Sequence, residues 1–481
     1  MTDQNTSPNC EKRPCHCPVW IGWLFLLIVA GGVFGLGLLV ASVMEHRAEA
    51  LKRSALFEIA PKEMDAEQWG RNYPRQYDSW HATQEMSFTS KYGGNTRRDY
   101  LEETPANAIL FAGYGFSKEY LQARGHWYTL EDVTHTKRVN EKTPASCWYC
   151  KSPDVPRLIG EWGVEKFASH TFDELKGQIT HAISCYDCHE ENTMKLRVLR
   201  PAIIEGFAKQ GKSINSFTHQ EMRSIACAQC HSTYYFENDT NIVTFPWAKG
   251  LSVENIEQYY KEDGFSDWTH PISKTRMIKV RHPDYELFST GVHAFQGLSC
   301  ADCHMPYRTE GAEKFSDHHL QSPLANISRS CAVCHRWSEE EVRERVTSIQ
   351  DKVREGRNRA EFAIAHAHFD IAAAAEAGAT DEELAEARDL LRYAQMHWDF
   401  IAAANAMGFH SPQEAQRILA TALDKASQVR LMCSRILARH GYTDEVVYPD
   451  FSTKEKAQEL SRQFTAGTPP SLLKKQEPGD K

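Results

Sequence analysis

Cys147-Trp148-Tyr149-Cys150-Lys151 is the stretch around which the rest of the chain is organised. Its spacing is that of a c-type haem attachment motif, Cys-x-x-Cys-His, with lysine in the last position. Four intact copies follow: Cys185-Tyr186-Asp187-Cys188-His189, Cys227-Ala228-Gln229-Cys230-His231, Cys300-Ala301-Asp302-Cys303-His304 and Cys331-Ala332-Val333-Cys334-His335. With 14 Cys and 22 His in 481 residues, chance supplies roughly 0.02 such motifs in a chain of this length, so four are not coincidence. Zinc also uses paired Cys-x-x-Cys, but it does not require a histidine after each pair. The pattern therefore predicts five covalently bound c-type haems.

In such a haem two cysteines hold the porphyrin and the residue after the second reaches under the iron as its fifth ligand. Where a second histidine fills the sixth position, the iron is closed and passes electrons only. A haem that binds substrate keeps one face open, so a departure in its ligand set marks it out. Lysine at position 151 is that departure. An amine ligates iron only as the neutral base, which costs a free lysine about 4–5 kcal/mol at neutral pH. The iron–nitrogen bond must offset this.

Residues 1–18 form a polar tail, read as cytoplasmic, with Lys12, Arg13 and three cysteines, Cys10, Cys15 and Cys17. The cysteines are read as reduced thiols, because disulfides are rare in that compartment. Residues 19–44 contain an uncharged run from Trp20 to Met44, long enough to span a bilayer and longer than a signal-peptide core. An uncleaved signal anchor is the preferred reading, with cleavage near Ala41-Ser42-Val43 as the alternative. The globular part is then expected on the periplasmic side of a bacterial inner membrane, although Arg47, Lys52 and Arg53 make the flanking charge bias modest.

Residues 45–61 read as a charged linker. Residues 62–335 carry all five motifs but few long periodic segments, as expected where haems fill the core and short helices wrap them. Residues 336–456 differ, with three long helical patterns over Glu339–Ala377, Asp381–Met407 and Pro412–His440. Asp381 is the expected N-cap of the second, and Gly378 and Gly408 are the expected terminators. These helices suit either a homodimer interface or intramolecular packing; a homodimer is the expectation. Cys433 reads as a small buried hydrophobe, and residues 457–481 as a flexible tail. The fold class is mainly α: a multihaem cytochrome c with a haem-filled core and long C-terminal helices. A net charge of −9 carries no nucleic-acid footprint, so an anionic substrate needs a local positive site.

One Cys-x-x-Cys-Lys followed by four Cys-x-x-Cys-His resembles the pentahaem, ammonia-forming cytochrome c nitrite reductases. The similarity runs from about Tyr73 to Lys456. It includes Phe111-Ala112-Gly113-Tyr114, Arg124-Gly125-His126, His231-Ser232-Thr233-Tyr234-Tyr235-Phe236, Ser266-Asp267-Trp268-Thr269, His282-Pro283-Asp284-Tyr285-Glu286 and His304-Met305-Pro306. The resemblance implies that Arg138, Tyr234 and His282 are catalytic: the arginine faces the nitrite oxygens, and the other two supply hydrogen bonds and protons. Taken singly, the same residues read as a propionate partner, a packed aromatic and a buried histidine. The resemblance also places the distal ligands at His126, His293, His318 and His410, serving the haems of His231, His335, His189 and His304 respectively. His366 and His368 are expected to be structural or to face propionates.

Many members of that family hold calcium beside the active site, through a glutamate and a glutamine at the positions of Thr233 and Arg281 here. A hydroxyl and a cation make a poor calcium site. Calcium is therefore expected to be absent, with Arg281 supplying the positive charge, as in the family's calcium-independent branch. The implied reaction is six-electron reduction of nitrite to ammonium, and the implied donor is a membrane quinol-oxidising multihaem cytochrome. The competing readings are a haem conduit without substrate turnover and a hydroxylamine-converting oxidoreductase.

Overall fold

The computed structural model describes residues 18–54 and 56–474, with backbone alone for 48–54. Cys10, Cys15 and Cys17, and the tail expected around them, lie outside the described residues.

The chain divides at Glu58. Before it stands one helix, α1 (Val19–Ser54). Among the described residues this is the one helix long and apolar enough to cross a membrane, over Val19–Arg47. Trp23, Leu27, Phe34 and Leu39 are exposed on it, so the apolar surface is not confined to one packed stripe. The expected break at residue 45 is absent: the helix continues through the charged stretch to Ser54. The reason is local, since Glu, Arg, Ala, Leu and Lys all favour helix and no Gly or Pro intervenes before Pro61.

Residues 59–474 form one compact unit. From Ala66 to Ser330 it consists of short helices, loops and three two-stranded antiparallel hairpins, Tyr235–Phe236 with Val243–Thr244, Trp268–Thr269 with Arg276–Met277, and Tyr307–Glu310 with Glu313–Ser316. The motifs help to make their own helices. In Ser184-Cys185-Tyr186-Asp187 and Ser299-Cys300-Ala301-Asp302, serine and the aspartate between the cysteines form reciprocal capping boxes, so each attachment pair opens a helical turn.

Three long helices follow: α2 (Glu339–Glu376), α3 (Asp381–Ala402) and α4 (Pro412–Arg439). Ser338 with Glu341 and Thr380 with Glu383 form capping boxes at the starts of α2 and α3. The N-cap of α3 is therefore Thr380 rather than Asp381, because the threonine hydroxyl reaches the Glu383 amide and leaves the aspartate in the first turn. Helix α3 also stops at Ala402, short of Met407. Met407 and Gly408 both take left-handed backbone, at φ 46° and 73°, and turn the chain toward His410. Gly378, at φ 102°, follows α2 in the same left-handed region.

The tail expectation is corrected. Lys454–Ala466 is a helix, α5, that ends on a left-handed Gly467. Ala457, Leu460 and Phe464 recur on one face and are buried, as is Leu472 beyond it. That periodicity is what sequence composition obscured; residues 475–481 lie outside the described residues.

One apolar cluster joins Leu101 and Ile109–Ala112 to Ile364, Phe369, Leu391, Trp398, Leu419, Val429 and the fully buried Cys433. The motif region and the long helices thus share a core rather than forming two domains. A second cluster surrounds the first motif: Trp148, Tyr149, Val155, Leu158, Phe172, Phe207 and Trp247.

Candidate haem sites and catalytic pocket

The loop carrying Lys151 is held from both sides. Trp148 stacks on Phe172 with ring centres 3.9 Å apart, and its indole N–H donates to the Phe172 carbonyl at 3.0 Å. The fully buried Arg200 donates to the carbonyls of Tyr149 (2.7 Å) and Ser152 (3.1 Å) and to Asp187 Oδ1 (2.7 Å). It ties the first motif to the second. Nothing in the sequence around Arg200 marks it for this task, because its partners lie 13 to 51 residues away.

Each of the four motif histidines faces a second imidazole. Ring centres are 6.4 Å apart for His231 and His126, 6.2 Å for His189 and His318, 6.4 Å for His304 and His410, and 6.3 Å for His335 and His293. Two metal–imidazole bonds of about 2 Å each, with ring radii added, separate ring centres by about 6 Å, so these pairs fit an iron held between them. The tautomers fit as well. Nδ1 of His189, His304 and His318 lies 2.8–3.0 Å from the carbonyls of Met194, Gln321 and Ser316. Each Nδ1–H thus has an acceptor, which leaves Nε2 for ligation. His282 also stands 6.4 Å from His231, so spacing by itself does not separate it from His126.

Asp284, another residue missed in the sequence, joins two of the pairs. Its carboxylate accepts from the backbone and side-chain nitrogens of Asn405 at 2.8 and 2.7 Å. It lies 3.7 Å from His231 Nδ1 and 3.9 Å from His410 Nδ1. The only signal for it was its place in His282-Pro283-Asp284-Tyr285-Glu286.

The motifs adjoin in space. Cys150 neighbours Cys230, and Cys227 neighbours Cys300. Cys188 is close enough to Cys230, and Cys303 to Cys331, for electrostatic coupling.

The first motif has different company. Cys147 is within electrostatic reach of Arg138, Arg281 and Lys151, Tyr234 of Cys147 and Cys150, and His282 of Lys151. Arg138 is half-buried. Its Nε donates to Thr136 Oγ1 at 3.1 Å and its guanidinium lies 4.5 Å from the Phe116 ring centre. Among the described residues it pairs with no carboxylate. Desolvation pushes the Tyr234 phenol well above its usual range, so it stays protonated. Desolvation holds the His282 imidazole well below its usual range. His282 has left-handed backbone, φ 46°, and its Nδ1 is enclosed without a protein partner.

Arg281 donates to the carbonyls of Lys279 (2.9 Å) and Tyr234 (3.3 Å), the Tyr114 hydroxyl (2.7 Å) and Asp267 Oδ1 (2.5 Å). Burial opposes its charge, but Asp267 and Tyr114 hold its pKa well above the ordinary value. The segment is anchored to α3, where Asp399 accepts from Lys279 Nζ at 2.7 and 2.9 Å and from the Val280 amide at 2.8 Å. His366 and His368 lie apart from the motifs. His366 packs against Phe362 and Tyr448, and His368 is bonded to Ser273 and Gln395 and stacked on His270.

Five attachment motifs in one helical unit, four of them with facing imidazoles, define a multihaem c-type cytochrome. The chain belongs to the cytochrome c552 family, whose sequence model matches residues 65–468. Cytochrome c-552 of Bacteroides fragilis is 50% identical over 449 residues, covering 92% of this chain and 91% of its own. That of Porphyromonas gingivalis is 45% identical over 449 residues, covering 91% and 90%. Among solved structures, the cytochrome c nitrite reductase of Desulfovibrio desulfuricans, described with two calcium sites in its catalytic subunit, superposes with a TM-score of 0.75. It is 31% identical and covers 79% of this chain and 88% of its own.

Proposed function

We propose that this protein is an ammonia-forming cytochrome c nitrite reductase. One nitrite takes up six electrons and eight protons to give one ammonium and two waters. The observation that carries the reading is the contrast between motifs: four motif histidines face a partner imidazole at 6.2–6.4 Å, whereas Lys151 shares its surroundings with Arg138, Tyr234 and His282. Cys147 and Cys150 would hold the haem that Lys151 ligates. Cys185 and Cys188, Cys227 and Cys230, Cys300 and Cys303, and Cys331 and Cys334 would hold those of His189, His231, His304 and His335. When bound, the Lys151 haem supplies the open iron position for the substrate nitrogen and delivers the electrons passed along the adjoining motifs.

The chain's own groups do the rest. Arg138, which pairs with no carboxylate among the described residues, binds the nitrite oxygens through its guanidinium N–H groups. Tyr234 keeps its phenolic proton and presents it as a hydrogen-bond donor. His282, neutral after desolvation, has one nitrogen that donates and one that accepts, and can pass a proton between pocket and interior. Arg281 is neutralised by Asp267, so the charge that meets an anion in a chain of net charge −9 is that of Arg138.

Calcium independence belongs to the same reading. The oxygens that would serve a hard cation here, the carbonyls of Tyr234 and Lys279 and the Asp267 carboxylate, already accept from Arg281, and Thr233 offers only a hydroxyl. The solved relative is described with calcium sites; a guanidinium among these oxygens supports the reading that this chain does without one. We further propose a homodimer through α2 and α4, on which Phe362 and Leu431 are 57% and 53% exposed. The α1 segment serves as a membrane anchor, keeping the enzyme on the periplasmic side near a quinol-oxidising multihaem cytochrome.

The test is ammonium formation from nitrite by the holoprotein with a reduced viologen donor. Stoichiometric ammonium is expected, and Arg138→Ala should lose about 100- to 1000-fold in kcat/KM. A fully haem-loaded protein that leaves nitrite unchanged refutes the assignment in favour of an electron conduit.

A further inference from the structure

Each turnover consumes eight protons, so the pocket must be refilled from solvent through the protein. Three polar atoms buried beside it have no partner among the described residues: His282 Nδ1, Ser232 Oγ and Glu286 Oε2. They lie on two chain segments zipped together. The Thr233 amide donates to Glu286 Oε1 at 2.8 Å and the Tyr285 amide to the His231 carbonyl at 3.0 Å. Buried polar atoms without protein partners are where ordered water is found.

Glu286 is 1% exposed. Its Oε1 is fixed by two donors, the Thr233 amide and the Trp247 indole N–H, both at 2.8 Å. Glu286 lines a cavity of about 10 Å³ together with Ser252, Thr290 and Glu414, which is room for one water. Glu414, on the first turn of α4, is 21% exposed and bound to Arg417. The cavity therefore lies between Glu414 at the protein edge and Glu286 in the interior. The interior carboxylate holds the residue next to Tyr234.

We propose that Glu286 is the inner carboxyl of a proton-entry route running from Glu414, through one water, to the Tyr234–His282 pocket. The proposal rests on the nitrite-reduction reading. Glu286 gives the proton on Oε2 inward, by way of Ser232 and His282, and is reprotonated through the cavity water, so no net charge accumulates. Burial pushes its carboxyl up to about 8, opposed by the Thr233 and Trp247 hydrogen bonds, which keeps a proton on it at neutral pH. The groups facing it are Asp284 and Tyr285 on its own helix, Tyr260 on the helix Val253–Asp263, and Glu414 on α4. Glu286 is a positioning and relay residue, since it acts through the pocket groups rather than on the substrate.

The test uses the full-length holoprotein. Glu286→Gln retains the acceptor for Thr233 and Trp247 but carries no exchangeable acid. The expected result is an unchanged haem spectrum and KM, a kcat lowered about tenfold or more, a changed pH profile and partial rescue by Glu286→Asp. Glu414→Gln, at the protein edge, should lower kcat in the same sense and serves if Glu286→Gln fails to load haem. Wild-type kcat and pH profile in Glu286→Gln, or in Glu414→Gln alone, overturn the route. Infrared difference spectra of the resting protein supply a readout independent of turnover: a protonated-carboxyl band at about pH 6 that Glu286→Gln abolishes. A wild type that makes no ammonium refutes the nitrite reading, whereas absence of that band refutes this inference.

Discussion

Asp399→Asn tests the link between the long helices and the pocket. Lys279 and Asp399 are 1% and 0% exposed, and the carboxylate takes two bonds from the ammonium and one from the Val280 amide, two residues before His282. Burial presses the Lys279 pKa down and the Asp399 pKa up, while each charge pulls the other back. Asparagine keeps the shape but strands the ammonium among Phe111, Phe116 and Tyr120. Removing one partner of a buried pair costs about 3–5 kcal/mol. The upper end has a physical bound, because the lysine can shed its proton at about 4–5 kcal/mol at neutral pH. The sign with pH follows. In the variant the folded-state lysine pKa is depressed further below its unfolded value, so the unfolded state binds more protons and folding recovers as pH rises. Denaturant midpoints of wild type and variant should thus differ most near about pH 7 and converge toward about pH 9. A variant within about 1 kcal/mol of wild type, or a deficit independent of pH, refutes the reasoning.

Two further outcomes follow from the site. His318→Ala should leave the haem at His189 attached but without its second imidazole, read as a high-spin signal in magnetic circular dichroism; an unchanged low-spin spectrum rules out the His189–His318 pairing. Wild-type turnover should be unaffected by a calcium chelator, whereas Arg281→Gln combined with Thr233→Glu should acquire chelator sensitivity. Loss of wild-type activity on chelation would remove Arg281 from the role of calcium replacement.

The attachment chemistry was legible along the chain because thioether bonds and the proximal ligand come from five contiguous residues. The helical C-terminal region was legible because long runs of Ala, Leu, Glu and Arg keep one period. Local context was enough to name these elements but not their ends. Thr380 displaced Asp381 as a cap by one hydroxyl hydrogen bond, left-handed backbone at Met407 cut α3 short, and α5 emerged because Ala457, Leu460 and Phe464 had a core to meet.

What tertiary structure decided is which distant groups meet. A histidine becomes a candidate second ligand only by being carried to about 6 Å from another, and His318 reaches His189 across 129 residues. Arg200, Asp284 and Glu286 have no motif of their own. They matter because burial makes an unpaired charge or polar atom costly, so the fold must bring each a partner, and those partners come from segments the sequence keeps far apart.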